Sequence, residues 1–474
     1  MKATFSMRKL IVKSVRKEIL FQLGRLKHHP SVFVWSANNE NELGINEWFH
    51  GKANRSKYHS DYLTLYKDLL GDTVSKVDFK SRPFLLSSPT NGVETFQGGG
   101  ISENPNSEFY GDMHYYTFSD MWPPFEPPVA RCISEFGFQS LPFVETLKSA
   151  GFEQKDFNFN SQSLLHRQHH SLAHASMASR VNAHFAPMDY VNDALTISTE
   201  SSDSDLWRWV FLTQLYQAIA YKTTIEHWRR WKNRFDASGK GHTMCALYWQ
   251  LNDVWQAPSW STIDYSLKWK VTHYYAKRFF APLLLSAECN HNDSCDIYAI
   301  SDMTKAIKDV HLILRFFRWG SFQLGCSLQT YVPVIQPLSA NAVFNFDKTI
   351  CDMKKFDILT LHLEGVENEA SNVHLLCDLR SVSADKLGSI KSVHVAVGKR
   401  EYQFRISLLA SQPVAFVWLD VTNVTGYFSD NGFIMLESEV GVTFYAKNIN
   451  ELDIIKDRLS VFSLSDVQKS GMKK

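Results

Sequence analysis

The sequence predicts an α/β barrel-type domain followed by all-β domains, and three observations carry that reading. The first is His29-Pro30-Ser31-Val32-Phe33-Val34-Trp35-Ser36-Ala37-Asn38-Asn39-Glu40, an apolar run that turns polar at its end. Such a run suits a parallel strand covered on both faces, with chemistry at its C-terminal end. The second is Arg131-Cys132-Ile133-Ser134-Glu135-Phe136, a short β segment that also delivers a carboxylate. The third is a change of period in the second half. Tyr402, Phe404, Ile406 and Leu408 alternate with Gln403, Arg405 and Ser407, as do Val440, Val442 and Phe444 with their neighbours. A two-residue period marks half-buried antiparallel strands.

The two strand-end glutamates lie 95 positions apart. A βα unit takes about 30 residues, so Glu40 and Glu135 fall three units apart on one rim. Asn38-Asn39-Glu40 taken alone also suits a helix cap after a strand. Two carboxylates facing one pocket suit glycoside hydrolysis. One protonates the leaving oxygen, and the other attacks the anomeric carbon or activates water.

Along the chain, Val15, Ile19, Leu23 and Leu26 recur at helical spacing, with Lys13, Arg16, Lys17 and Arg25 on other faces. This pattern predicts a helix packed just before the Glu40 strand. A basic amphipathic N-terminus also suits a mitochondrial address, but the strand that follows at once favours a barrel helix. A helix is expected over 57–70, then strands at Pro83–Ser88, Asp112–Tyr116 and around Glu135. A His-rich insertion follows at about 141–204, then a long helix over 205–233 and a last barrel strand over Cys245–Leu251. His166, His169 and His170 lack the acidic or cysteine partners that a metal site needs, so no metal is expected. Gly98-Gly99-Gly100 lacks the following Lys-Ser/Thr of a phosphate cradle.

The 474 residues call for two to four domains. Hydrophobic content of 44% and charge of 21% describe a globular chain, and a net charge of +1 gives no pull toward nucleic acid or an anionic membrane. No apolar run approaches the roughly 18 residues of a membrane span. No signal peptide is visible, because residues 1–29 are basic and lack a continuous apolar core. The cysteine count is odd and there is no CxxC, so neither zinc nor a dense disulfide framework is indicated. Cys132 and Cys245, in expected strands, read as buried thiols, while Cys289 and Cys295 are spaced to bridge a short loop. Asn54, Asn292 and Asn423 head glycosylation sequons, which suit a secreted or lysosomal protein.

The motifs His29-Pro30-Ser31…Asn38-Asn39-Glu40 and Ser134-Glu135-Phe136-Gly137-Phe138-Gln139-Ser140 resemble those of glycoside hydrolase family 2, and within it the animal β-mannosidases. Ser87-Ser88-Pro89-Thr90-Asn91-Gly92, Leu165-His166-Arg167-Gln168-His169-His170, Gly241–Asp253 and Phe428–Phe433 extend the match through nearly the whole chain. The resemblance implies a retaining exo-β-mannosidase acting on terminal β-mannose of glycoprotein oligosaccharides in the lysosome, with no cofactor. Glu135 would be the nucleophile and Glu40 the acid/base, kept protonated by the neighbouring charge on Glu135. Asn39, His114, Tyr116 and Trp249 would line the substrate site. Asn39 would bond the sugar 2-OH, Tyr116 with His114 would orient the nucleophile, and Trp249 would floor the sugar. His114 and Trp255 stand behind the groups in direct contact. Glu42 shares the loop without being the acid.

Only 39 residues precede Glu40, where the family places three βα units. The chain therefore reads as the C-terminal part of such an enzyme: barrel strands four to eight over 1–284, then two Ig-like β-sandwiches, one over 285–384 and one over 385–474. Other family 2 exo-glycosidases, such as a β-galactosidase or β-glucuronidase, and an inactive carbohydrate- or partner-binding remnant are the competing readings. The oligomeric state is not legible.

Overall fold

The computed structural model describes residues 2–48, 54–170, 172–185, 203–289, 294–367 and 370–471. The chain divides into two compact units: Met1–Tyr116 with Pro128–Phe136 and Trp231–Tyr248, and Thr117–Pro127 with Gly137–Arg230 and Trp249–Lys474.

The first unit opens with helix α1 (Lys2–Leu26). Its inward positions are the ones the spacing predicts: Leu23 is buried and Val15, Ile19 and Leu26 are half-buried, while Leu10, Ile11 and Phe21 are exposed. Strand β1 is short (Trp35–Ser36) and is followed by α2 (Asn41–Glu47), α3 (Arg55–Tyr62), a π-helical stretch (Leu63–Gly71) and α4 (Asp72–Val77). Then come β2 (Phe84–Leu85), α5 (Val93–Gln97), β3 (Met113–Tyr115) and β4 (Ile133–Phe136). The helices pack through Ile45, Tyr62 and Leu86, with Tyr58, Leu63, Tyr66 and Phe84 around them. Arg82 clamps the entry to β1. Its guanidinium donates to the carbonyls of Lys27 (2.6 Å) and Val32 (2.5 Å) and to Asp78 Oδ1 (2.6 Å).

The strands run parallel. Trp35 pairs with Phe84 and Ser36 with Leu85, and an isolated parallel bridge joins Asn39 to Ser88. His114 pairs with Glu135, after a register shift between Met113 and His114. Two expectations need correction. The run Val32–Trp35 is not covered on both faces: Phe33 is 75% exposed, and among the described residues β1 pairs only with β2. The strand expected over Cys245–Leu251 reduces to a single parallel bridge, Ile133 to Ala246, with Met244 and Leu247 exposed on either side. The described residues form parallel pairs and close no barrel.

The cysteines also depart from expectation. Cys132 and Cys245 form a disulfide and are half-buried, not buried thiols. The parallel bridge beside them puts two residues of distant sequence position side by side. Cys289 and Cys295 bridge a short loop. Of the sequon asparagines, Asn54 and Asn423 are exposed and Asn292 lies outside the described residues.

The second unit carries α6 (Val144–Ser149), α7 (Gln162–Arg167), α8 (Ala173–His184), α9 (Asp203–Arg230) and α10 (Val271–Phe279). Helix α9 is its apolar axis, with Leu206, Phe211, Leu215, Tyr221 and Trp228 fully buried. His169 and His170 lie against Trp255 and Trp260, at ring distances of 5.0 and 6.0 Å.

Fourteen strands follow among the described residues. β5 (Leu283–Cys289), β6 (Ser294–Ser301) and β9 (Ala340–Asp347) form one antiparallel sheet. β7 (Ile307–Arg318), β8 (Ser321–Ile335), β10 (Ile358–Glu364) and β11 (Ala370–Leu375) form another, and Leu285, Ile297, Leu312, Phe316, Phe346 and Leu361 share the core between them. A second pair of sheets joins β12 (Ser392–Val397), β13 (Gln403–Leu409), β15 (Gly426–Phe428) and β17 (Glu439–Ala446), and β14 (Val414–Val421), β16 (Phe433–Met435) and β18 (Leu459–Phe462). The alternation read in the sequence is the inside–outside pattern of β13 and β17. Phe404 faces Phe444 and Ile406 faces Val442, all four buried, while Arg405 is exposed. No helix among the described residues is long and apolar enough to cross a membrane.

Candidate active site

The C-terminal ends of the parallel strands carry the polar groups, because the ladder ends there and backbone and side chains turn outward together. The Glu40 N–H donates to the Ser88 carbonyl (2.8 Å) and the Glu40 carbonyl accepts from the Gly44 N–H (2.7 Å). Between these two bonds Glu40 adopts φ 61°, ψ 7°, the left-handed region that a non-glycine residue enters at a cost of about 1–3 kcal/mol. Glu40 stands at the cap position of α2, but its side chain makes no capping bond. Asn38 does that work, its Oδ1 accepting from the Asn41 N–H at 3.0 Å. The Glu40 carboxylate is therefore left to meet His114.

His114 is held by one amide. Asn106 Oδ1 accepts from the His114 N–H (2.8 Å), and Asn106 Nδ2 donates to the His114 carbonyl (2.9 Å). The buried imidazole then places Nδ1 2.7 Å from Glu40 Oε1 and 3.7 Å from Glu135 Oε2. On the far side of Glu135, the Tyr116 hydroxyl donates to Oε1 at 2.6 Å. One oxygen of each glutamate lies within 4.8 Å of the other's. Burial pushes the Glu135 carboxyl above its usual range; the Tyr116 hydrogen bond and His114 pull it back, and Glu40 adds to the rise. Among the described residues this trio is the cluster whose ligand-type atoms are close enough to share a cation, and its hydrogen bonds read instead as an acid–base array.

Glu40, His114, Tyr116 and Glu135 thus meet at one place. Asn39 sits beside them on the same strand end, exposed. Trp249 belongs to the second unit, where it is 46% exposed and its carbonyl accepts from Tyr221. Glu42 points elsewhere. It is fully buried, accepts the Ser102 N–H at 2.7 Å, and is pushed up to about 7 by that burial. Sequence reasoning missed Ser88, Asp112 and Ser134, which stand behind His114. All three lie inside the motifs and strands that the sequence singles out, but no local pattern marks them as partners.

Residues 390–467 match the mannosidase Ig-fold domain family. A β-mannosidase of Rattus norvegicus is 38% identical over 471 residues, covering 96% of this chain and 51% of that protein. One of Mus musculus is 37% identical with the same coverage. Over nearly its whole length the chain is similar to β-mannosidases. It spans about half the length of the curated relatives it matches. Among solved structures, a β-D-mannosidase from Dictyoglomus thermophilum superposes with TM-score 0.71 at 22% identity, covering 96% of this chain and 50% of that one. At that identity the likeness concerns the fold.

Proposed function

We propose that this chain carries the catalytic pair of a retaining exo-β-mannosidase that removes terminal β-mannose from oligosaccharides of glycoproteins. The observation behind this reading is the approach of Glu40 and Glu135 within 4.8 Å, with Tyr116 on one and His114 against both. Retaining enzymes hold their carboxyls about 5–5.5 Å apart, whereas inverting ones leave about 6.5–9.5 Å for a water.

In the first step a Glu135 oxygen attacks the anomeric carbon as the glycosidic C–O bond breaks, and the Glu40 proton passes to the departing oxygen. In the second, water adds to the anomeric carbon, its proton passes to Glu40, and the Glu135 ester bond breaks. The Tyr116 hydroxyl holds Glu135 in its anionic, attacking form. Asn39, exposed at the strand end, would meet the sugar 2-OH. The parallel pairs in the first unit would be strands four to eight of a barrel, with domains over 1–284, 285–384 and 385–474. The names of the relatives supply the sugar, and a lysosomal setting suits both the sequons and the substrate.

The test is a panel of aryl β-glycosides given to the 474-residue chain and to a version extended to the relatives' full length. Hydrolysis of the mannoside in preference to the galactoside and glucuronide, with release of β-mannose before mutarotation, is expected. A preference for another sugar, or α-mannose as first product, would overturn the proposal.

A further inference from the structure

Behind the two glutamates lies a partly buried chain of hydrogen bonds that the two-carboxylate mechanism does not use. Ser88 Oγ is 3.0 Å from His114 Nε2 and 2.5 Å from Asp112 Oδ2. Asp112 is buried and also accepts from Ser134 Oγ, at 2.5 Å on the same oxygen, and from the Thr90 N–H, at 3.0 Å on the other.

Counting protons fixes the direction of the chain. A carboxylate only accepts, and a serine hydroxyl has one hydrogen to give. Asp112 takes the Ser88 hydrogen, so Ser88 has only lone pairs for the imidazole. The hydrogen between Ser88 and His114 must then sit on Nε2. That leaves Nδ1 to face Glu40 at 2.7 Å, and two bare acceptors do not stand at that distance. One proton lies between them, either on Glu40 as a neutral acid against a neutral imidazole or on Nδ1 as an imidazolium against a carboxylate.

We propose that Asp112, acting through Ser88, holds His114 in the form protonated at Nε2, so that Glu40 and His114 share a single proton that Glu40 can pass to the leaving oxygen. The inference rests on Glu40 being the acid/base. Ser88, Asp112 and His114 are positioning residues: none donates to the sugar, but together they decide whether Glu40 has a proton to donate. With the opposite tautomer, Nδ1–H would donate to Glu40 and hold it as a carboxylate, unable to act as an acid. Fixing a histidine tautomer through its other ring nitrogen is a general way to set which nitrogen does the chemistry.

Two measurements on the 474-residue chain test it. In protein labelled with 15N-histidine, the His114 resonances, assigned by their loss in His114→Gln, should show a protonated Nε2. A bare Nε2 with the proton fixed on Nδ1 would overturn the proposal without any reference to activity. In kinetics, Ser88→Ala and Asp112→Asn should lose at least about 10-fold in kcat/KM on an alkyl β-mannoside while changing far less on a dinitrophenyl β-mannoside, whose leaving group needs no proton. Ser88→Thr, which keeps the hydroxyl, should restore the alkyl rate. Equal losses on both substrates would assign the chain a merely structural role and overturn the proposal. If instead Glu40→Gln shows no dependence on leaving group while the wild-type His114 still carries its proton on Nε2, the assignment of Glu40 has failed and the tautomer has not.

Discussion

The Tyr116 hydroxyl stands 2.6 Å from Glu135 Oε1 and donates its hydrogen to the carboxylate. Burial raises the Glu135 carboxyl, and this bond is the strongest influence pulling it back. Tyr116→Phe removes the donor and keeps the ring. Glu135 should then take up a proton at higher pH, and the acid limb of the kcat/KM profile on an aryl β-mannoside should move upward. A hydrogen bond to a charged group is worth about 1.5–3 kcal/mol, or roughly 10- to 100-fold in rate. An unmoved acid limb would show that Tyr116 does not tune the nucleophile.

The two glutamates of the Asn39–Glu42 loop separate cleanly by environment. Glu40 reaches His114, while Glu42 is buried against Ser102. Glu40→Ala should therefore lose about 100-fold or more on substrates with poor leaving groups, the range general acid catalysis supplies. Added azide should restore turnover on activated ones. A 2-deoxy-2-fluoro mannoside should label Glu135, read by mass spectrometry. Azide rescue of Glu42→Ala in place of Glu40→Ala would reverse the reading of the loop.

The Cys132–Cys245 disulfide ties the segment entering β4 to the segment bridged to it, three residues before the Glu135 carboxylate. It closes a loop with a sequence separation of 113, for which the chain-entropy model gives about 5 kcal/mol. The double change Cys132→Ser with Cys245→Ser should lower the first melting transition by several degrees. Peptide mapping without reductant should recover the two cysteines linked, and recovery of both as free thiols would remove the basis for this expectation.

Local patterns in the sequence reach as far as local physics does. The alternation at Phe404, Ile406 and Leu408 was legible because burial on one sheet face imposes a period of two. The inward stripe of α1 was legible for the same kind of reason. The strand expected at Cys245–Leu251 was not: an apolar composition says nothing about whether a neighbour arrives to pair with it, and only Ala246 is bridged. Cys132 and Cys245 looked like buried thiols because their adjacency depends on a pairing across 113 positions. At the site, Glu40, His114, Tyr116 and Glu135 were readable from strand-end placement and family motifs. The supporting chain through Ser88, Asp112 and Ser134 was not, since two serines and an aspartate acquire meaning only from the atoms they meet.

Glu42 sets a pH dependence on the fold itself. Its carboxyl is fully buried and pushed from 4.5 up to about 7, chiefly by desolvation, with the Ser102 N–H opposing the shift. Between those two values the folded chain holds a proton that the unfolded chain has released. Stability from this group is thus complete below about 4.5 and is lost as the pH rises through about 7, a difference of about 3 kcal/mol. An acidic compartment would keep Glu42 neutral and the α2 segment at its most stable, which accords with the lysosomal setting proposed above. Glu42→Gln keeps an acceptor oxygen for Ser102 and cannot ionise. Urea denaturation from pH 4.5 to pH 8 should show the native chain weakening across the range and the Gln variant weakening much less, so that the variant is the more stable at pH 8. Parallel curves for the two proteins would mean that Glu42 keeps its charge in the fold and that the weakening comes from another group.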